Sequence, residues 1–179
     1  MRGSRELIKV KDERLKVKGI IIFLSIFIFQ FSLSSCEGTT FQSSVPAYPV
    51  HVEINTMTEF VDFLPTNTNA YITVNSEGYK ENGKFVKLPT VMDAWGYGGV
   101  VAYVSMNGYV AFDLACPYCA GRGTKSPCEI DGIYAVCPHC GEQYEIGSGY
   151  AVPQKGISRE ALRRLGLMIS DGRITITQQ

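Results

Sequence analysis

Runs of β-branched and aromatic residues separated by turn residues dominate the chain after residue 50. Residues 99–105 (GVVAYVS) and 109–113 (YVAFD) lie on either side of Asn107-Gly108. An Asn-Gly step between two such runs predicts a β-hairpin in which both turn residues have positive φ. The hydrophobic pattern therefore predicts a mostly β domain.

Shorter runs complete the predicted strands. They fall at residues 51–55, 71–74, 133–136, 143–146, 150–152, 167–169 and 173–177, and the last two form a second hairpin. Only residues 159–165 have the pattern of a helix, with Ser158 as its N-cap and Gly166 as its stop. Residues 66–97 contain several Gly, Asn and Pro residues, which predict long loops and a hairpin.

The N-terminal residues follow a different pattern. A basic lead, residues 1–19, precedes an apolar run at residues 20–33 that is too short to span a bilayer and is typical of a signal-peptide core. The sequence Leu-Ser-Ser-Cys at residues 33–36 resembles the lipobox of bacterial lipoproteins. This resemblance implies a signal peptide over residues 1–35 and a lipid on Cys36. An uncleaved anchor helix is the alternative.

The lipobox resemblance implies that the rest of the chain is anchored at the bacterial cell envelope. Residues 36–49, rich in Ser, Thr and Pro, are predicted to tether one domain, residues 50–179, to the membrane. The part from Cys36 onward contains 10 basic and 14 acidic residues, so nothing indicates a nucleic-acid partner. The expected position is the outer membrane, facing the periplasm.

Four cysteines form two matched pairs with the spacing C-x2-C-x17-C-x2-C. Cys116 and Cys119 make the first pair, and Cys137 and Cys140 make the second. Two intervening residues allow one turn to direct both sulfurs to one point, and two facing turns make a tetrahedron. The spacing predicts a metal site held by these four thiolates, in loops between residues 114 and 146.

The sequence around the pairs resembles Rieske iron–sulfur domains over residues 85–179. Residues 107–118 (NGYVAFDLACPY) are similar to the strand and first cluster loop of that family. Residues 137–149 are similar to its second loop and the strand after it, and residues 171–176 to its last hairpin. The resemblance implies an all-β fold, a Rieske-like antiparallel β sandwich.

The ligand positions depart from the family. Cys116 and Cys137 match its two cysteines, but Tyr118 and Cys140 stand where its two histidines are expected, so no histidine role carries over. Cys119 is an additional thiol. The second pair, Cys-Pro-His-Cys-Gly, also resembles the knuckles of zinc ribbons and rubredoxins, which implies a small metal-binding subdomain of that type.

Several states of the site remain open. Four thiolates form a structural zinc site, a low-potential [2Fe-2S] cluster or a single-iron site. No Arg-Arg pair for folded export precedes Ile20, and zinc can be acquired outside the cytoplasm, so zinc is the favoured metal. Disulfides are the remaining alternative in an oxidising compartment. Cys128 is then either a small buried residue or a partner of Cys119.

The expected function is a non-catalytic binding or assembly module with a protein partner in the envelope and no small-molecule substrate. An electron carrier is the alternative. The tetrapeptide Cys116-Pro-Tyr-Cys119 also matches the active site of glutaredoxins, but the Gly and Pro residues after it predict no helix there. His51 and His139 lie in no nucleophile motif, so no hydrolase is indicated.

Overall fold

The computed structural model describes residues 43–179, and these residues form thirteen strands and one four-residue helix. The elements are β1 (Val50–Asn55), β2 (Tyr71–Asn75), β3 (Gly78–Glu81), β4 (Lys84–Lys87), β5 (Ala94–Trp95), β6 (Val100–Ser105), β7 (Gly108–Asp113), α1 (Pro117–Ala120), β8 (Glu129–Asp131), β9 (Tyr134–Val136), β10 (Gln143–Glu145), β11 (Val152–Lys155), β12 (Gly166–Ser170) and β13 (Arg173–Thr177). The predicted signal peptide, residues 1–35, and Cys36 lie outside the described residues. No helix in residues 43–179 is long and apolar enough to cross a membrane.

The strands form three antiparallel sheets, which confirms the predicted all-β class. Their strand orders are β4-β3-β2-β6-β7, β12-β13-β1-β5 and β11-β10-β9-β8. The third sheet forms a small subdomain, since β9 leads into the second cysteine pair and β10 follows it. The predicted division into signal peptide, tether and domain stays a prediction.

Strand β6 lies in the middle layer of the molecule. All six of its residues are buried. Val100, Ala102 and Val104 pack in one core with β1 and β13, whereas Val101 and Tyr103 pack in a second core that contains the cysteines. Because successive side chains of a strand point to opposite faces, one uninterrupted apolar strand connects the two cores.

The hairpin β6–β7 forms as predicted, with its turn one residue earlier. Ser105 pairs with Gly108, so the turn consists of Met106 and Asn107. Only Gly108 of these residues has positive φ, at +102°. The Ser105 side chain explains the shift, because its hydroxyl accepts the Asn107 N–H at 3.2 Å and donates to the Gly108 carbonyl at 2.8 Å.

The predicted helix at residues 159–165 is wrong. The segment is extended, and its backbone hydrogen bonds go to other parts of the chain instead of to itself. Arg163 O accepts the Asp113 N–H, and Leu165 N donates to Ala111 O, both at 2.9 Å. Since these bonds cover the free edge of β7, tertiary pairing outweighs the helical pattern of the sequence.

Two other regions differ from the prediction in detail. Strand β11 begins at Val152, after a buried Ala151 whose φ is +51°, so it lies two residues later than expected. The loop-rich region at residues 66–97 contains the expected hairpin, β3–β4, whose turn residues Asn82 and Gly83 both have positive φ. Strand β8 has only three residues and was not predicted.

Candidate metal centre

The first knuckle, residues 116–120, is one turn of helix. Cys116 is the N-cap of α1, and Pro117 occupies the first helical position, where its missing N–H and fixed φ suit a helix. The Ala120 N–H donates to the Cys116 carbonyl at 2.9 Å. The expectation that no helix forms after Cys116 is therefore wrong for this one turn, although the helix has only four residues.

The second knuckle, residues 137–141, closes with the same bond. The Gly141 N–H donates to the Cys137 carbonyl at 2.9 Å. Gly141 has a φ of +74°, so the chain turns away before a helix can form. The Cys137 N–H donates to Glu142 O at 2.8 Å, which returns the chain towards β10.

The two knuckles face each other and bring four sulfur atoms together. The Sγ atoms of Cys116 and Cys140 are 3.6 Å apart, and those of Cys119 and Cys137 are 3.7 Å apart. Each close pair thus joins one knuckle to the other. All four Sγ atoms lie within 4.8 Å of one another. All four cysteines are free thiols.

Burial distinguishes one of the four cysteines. Cys116, Cys119 and Cys137 are at most 2% exposed, whereas Cys140 is half-buried. Pro138 and His139 are exposed beside it. The group that could hold a metal ion, among the residues that the structure describes, consists of the four cysteines without His139. The candidate site therefore has three buried thiols and one half-buried thiol.

The donor set fits a single tetrahedral ion. With metal–sulfur bonds of about 2.3 Å, the edges of a regular sulfur tetrahedron are about 3.8 Å long. The two short Sγ···Sγ distances, 3.6 and 3.7 Å, are close to that value. A disulfide bond requires about 2.05 Å, so these contacts are non-bonded.

The cysteines differ in acidity. A hydrogen bond with the Cys128 side chain, and a weaker one with Tyr144, lower the pKa of Cys116 to about 4 against the effect of burial. Burial raises the pKa of Cys140 to about 11 and also raises that of Cys119. Metal binding would therefore release protons from the cluster, since thiolates and not thiols are ligands.

Two hydroxyl groups contact the sulfur atoms. The Tyr144 hydroxyl lies 3.4 Å from Cys116 Sγ, and the Ser126 hydroxyl lies 3.2 Å from Cys137 Sγ. Both residues are buried. Towards a thiolate, the hydroxyl is the donor. Ser126 was not identified from the sequence.

A buried carboxylate supports the first knuckle. Asp113, only 2% exposed, accepts the N–H groups of Tyr97, Gly98 and Ala115 at 2.8 to 2.9 Å. Burial raises the pKa of Asp113, although these bonds and Arg163 oppose the shift. A Cβ at Gly98 would lie 2.1 Å from the Ala115 nitrogen, so only glycine fits there. Asp113 thereby fixes the chain directly before the first knuckle.

A second buried carboxylate supports the second knuckle. Glu142, also 2% exposed, accepts the N–H groups of Ile157 and Ser158 at 2.6 and 3.0 Å. Gly156 adopts a φ of +114°, and a Cβ there would lie 2.2 Å from the Glu142 carboxyl carbon. Sequence reasoning missed both carboxylates, and their positions next to the cysteine pairs were the only signal.

The fifth described cysteine, Cys128, lies in the same core. It is 4% exposed and is a free thiol, as is Cys119. Its backbone N–H donates to Leu114 O at 2.7 Å. The structure therefore does not contain the Cys119–Cys128 disulfide that the sequence left open.

Comparison with known proteins adds only distant likeness. No protein-family model and no curated protein sequence matches the chain. A solved structure described as the complex of reduced oxygenase and oxidized ferredoxin in carbazole 1,9a-dioxygenase has a TM-score of 0.43 and 12% identity, covering 73% of this chain and 94% of that chain. A Sphingomonas yanoikuyae B1 ferredoxin has a TM-score of 0.36 and 15% identity, covering 52% and 84%. The resemblance to Rieske domains therefore rests on the sequence motifs alone.

Proposed function

We propose that this chain is a metal-binding module in which four cysteine thiolates close on one structural zinc ion. The observation that carries the proposal is the group of four Sγ atoms, all within 4.8 Å of one another. The sulfur atoms come from two turns with matching backbone closure, the arrangement that a tetrahedral ion needs. Sulfur-only donor sets of this geometry favour zinc or iron over harder metals.

The compactness of the group favours one ion over a two-iron cluster. In a [2Fe-2S] cluster each iron takes two protein ligands, so the two pairs of sulfurs are separated by the width of the cluster. A group whose members all lie within 4.8 Å of one another leaves room for one ion. The histidine nearest the site, His139, is exposed and outside the group.

The closed donor set supports a structural role. Four protein ligands leave no open coordination position for water or substrate, which is the difference between structural and catalytic zinc sites. The ion would join the end of β7, through the first knuckle, to the end of β9, through the second. We propose that the resulting domain is a non-catalytic binding or assembly module.

The position of the first described residues supports attachment near the metal centre. Ser43 Oγ donates to Glu160 at 2.7 Å, and Ser44 lies against Gly121, directly after α1. The proposed lipid site, Cys36, precedes Ser43 by seven residues, which extend over at most about 25 Å. A lipid on Cys36 would therefore hold the metal centre near the membrane, where we propose a protein partner in the cell envelope.

A single iron is the second candidate, because the same tetrahedron accepts it. The half-buried Cys140 favours this alternative, since a ligand at the surface shortens the path for an electron to a docked partner. The chain would then be an electron carrier. Reversible reduction and visible absorption are expected of the iron form and of neither zinc nor the metal-free protein.

Elemental analysis of the full chain, isolated from membranes, tests the proposal. One zinc per chain without acid-labile sulfide is the expected result. One iron without sulfide would establish the single-iron alternative, and two irons with two sulfides would overturn the single-ion site. The variant in which Cys116 and Cys137 are both replaced by serine is the control, because it lacks one buried ligand from each knuckle.

A further inference from the structure

The segment Ser126–Cys128 runs antiparallel to the chain that enters the first knuckle. The Cys116 N–H donates to Ser126 O at 3.0 Å, and the Cys128 N–H donates to Leu114 O at 2.7 Å. Residues directly opposite each other in such a pairing share a face, as do residues two apart along one strand. The side chains of Ser126 and Cys128 therefore lie on the same face as Cys116.

The side chains of this segment reach both knuckles. The Ser126 hydroxyl crosses to the second knuckle and contacts Cys137 Sγ at 3.2 Å. The Cys128 side chain packs in the same core as Cys116. Ser126 is 8% exposed and Cys128 is 4% exposed, so both side chains are buried.

We propose that Ser126–Cys128 is a clamp that sets the position of the Cys137 sulfur relative to the first knuckle before the metal binds. The clamp is fixed to the first knuckle by backbone hydrogen bonds and reaches the second through the Ser126 hydroxyl. Ser126 is a positioning residue, since it acts through the Cys137 sulfur. This inference rests on the proposed metal function of the four cysteines.

The two sulfurs that contact hydroxyl groups belong to different close pairs. Cys116 is paired with Cys140, and Cys137 is paired with Cys119. Each pair therefore has one sulfur beside a hydroxyl, Tyr144 at Cys116 and Ser126 at Cys137. Cys128 lies outside the group of four sulfurs. Donors of this kind fix the orientation of a ligand and hold its charge.

Cobalt and zinc titrations of the full chain in detergent test the clamp. Ser126→Ala is expected to weaken metal binding ten- to a hundredfold, the range typical of lost partners behind a metal ligand. Its sulfur-to-cobalt charge-transfer band should shift, because Cys137 loses its donor. Ser126→Thr, which keeps a hydroxyl, should restore most of the affinity. Ser170→Ala is the matched control, because Ser170 is exposed and bonds to Asp171.

Cys128 has its own pair of variants. Because Cys128 lies outside the group of four sulfurs, Cys128→Ser and Cys128→Ala should both keep the charge-transfer intensity of four thiolates. A loss of charge-transfer intensity equal to one thiolate in both variants would overturn the clamp and make Cys128 a ligand. The metal-free melting temperature of every variant is measured alongside.

The outcomes separate the clamp from the metal site. If the wild type binds neither cobalt nor zinc, the proposed function fails. If the wild type binds and Ser126→Ala binds equally well, only the clamp is overturned. A lowered metal-free melting temperature with unchanged affinity and an unchanged spectrum also overturns it, because the contacts then serve the fold alone.

Discussion

The two knuckles share their construction and differ in their surroundings. Each closes with a bond between residues four apart, at 2.9 Å. The buried carboxylate of Asp113 precedes the first knuckle, and that of Glu142 follows the second. Each accepts backbone N–H groups from a distant loop. The first knuckle continues as α1 and is enclosed by the core, whereas the second ends at Gly141 and leaves Cys140 half-buried.

This difference indicates that the four proposed ligands are not equivalent. Three of them are core residues, so their removal would open a cavity in the core as well as the candidate site. The fourth, Cys140, is half-buried, so water could replace it as a ligand. The second knuckle is therefore the side through which an ion is expected to enter and leave.

The largest expected effect is the difference in metal content and thermal stability between the Cys116→Ser and Cys140→Ser variants. Structural zinc contributes an apparent binding free energy of about 10–16 kcal/mol in small domains, so loss of the buried ligand should abolish stoichiometric metal and cooperative unfolding. Cys140→Ser should keep zinc at reduced affinity, with water in the fourth position, as in open zinc sites. Metal content and thermal melting of both variants measure this. Equal losses in both would contradict the distinction between buried and surface ligands.

The next largest effect is expected from replacing the two buried carboxylates that support the knuckles. Asp113→Ala leaves three buried N–H groups without an acceptor, and Glu142→Ala leaves two. At about 1–3 kcal/mol per orphaned group, Asp113→Ala should lower the free energy of unfolding by about 3 kcal/mol or more, and Glu142→Ala by less. Denaturant titration measures both, with the exposed Glu53→Ala as control. A larger loss of unfolding free energy in Glu142→Ala would show that the second knuckle depends more on its buried carboxylate than the first knuckle does.

Glycine substitutions give a smaller contrast. A Cβ at Gly98 collides with the Ala115 backbone, whereas a Cβ at Gly141 meets nothing within 4 Å. Gly98→Ala should cost about 3 kcal/mol through overpacking, and Gly141→Ala about 1 kcal/mol through its positive φ alone. Thermal melting distinguishes the two. Equal losses of stability in the two variants would mean that the backbone before Cys116 shifts to accommodate the added Cβ.

The smallest expected effect is a pH dependence at Asp113. Because burial raises its pKa, the folded state binds the Asp113 proton more tightly than the unfolded state does. Its contribution to stability is complete below the ordinary aspartate pKa and declines as the pH rises through the raised value. Subtracting the stability curve of Asp113→Asn from that of the wild type, between pH 3 and 7, should isolate this decline. A difference that increases with pH would contradict it.

The hairpins were predictable because their signals are local. Asn107-Gly108 between two apolar runs located β6–β7, and the final hairpin was predicted by the same reasoning. The failed helix at residues 159–165 shows the limit. Its apolar positions, Leu162 and Leu165, are buried as a helix would bury them, but in an extended segment that pairs with β7.

The candidate site was predictable in part. The spacing within each cysteine pair is a local property, and the two turns with their closing bonds follow from it. Ser126, Asp113 and Glu142 were not predictable from the sequence, because each contacts a residue 11 to 16 positions away that becomes a neighbour only in the folded chain. Single buried polar residues leave no periodic pattern to detect.

The sequence by itself determined the all-β class, the main hairpins and the two cysteine turns, because turn chemistry and side-chain alternation act over a few residues. The tertiary structure alone decided that the turns face each other, that each close sulfur pair joins the two knuckles, and that Cys140 is only half-buried. It also decided which buried polar groups hold the knuckles. These features depend on how the sheets pack across β6, where burial and backbone pairing outweigh local preference.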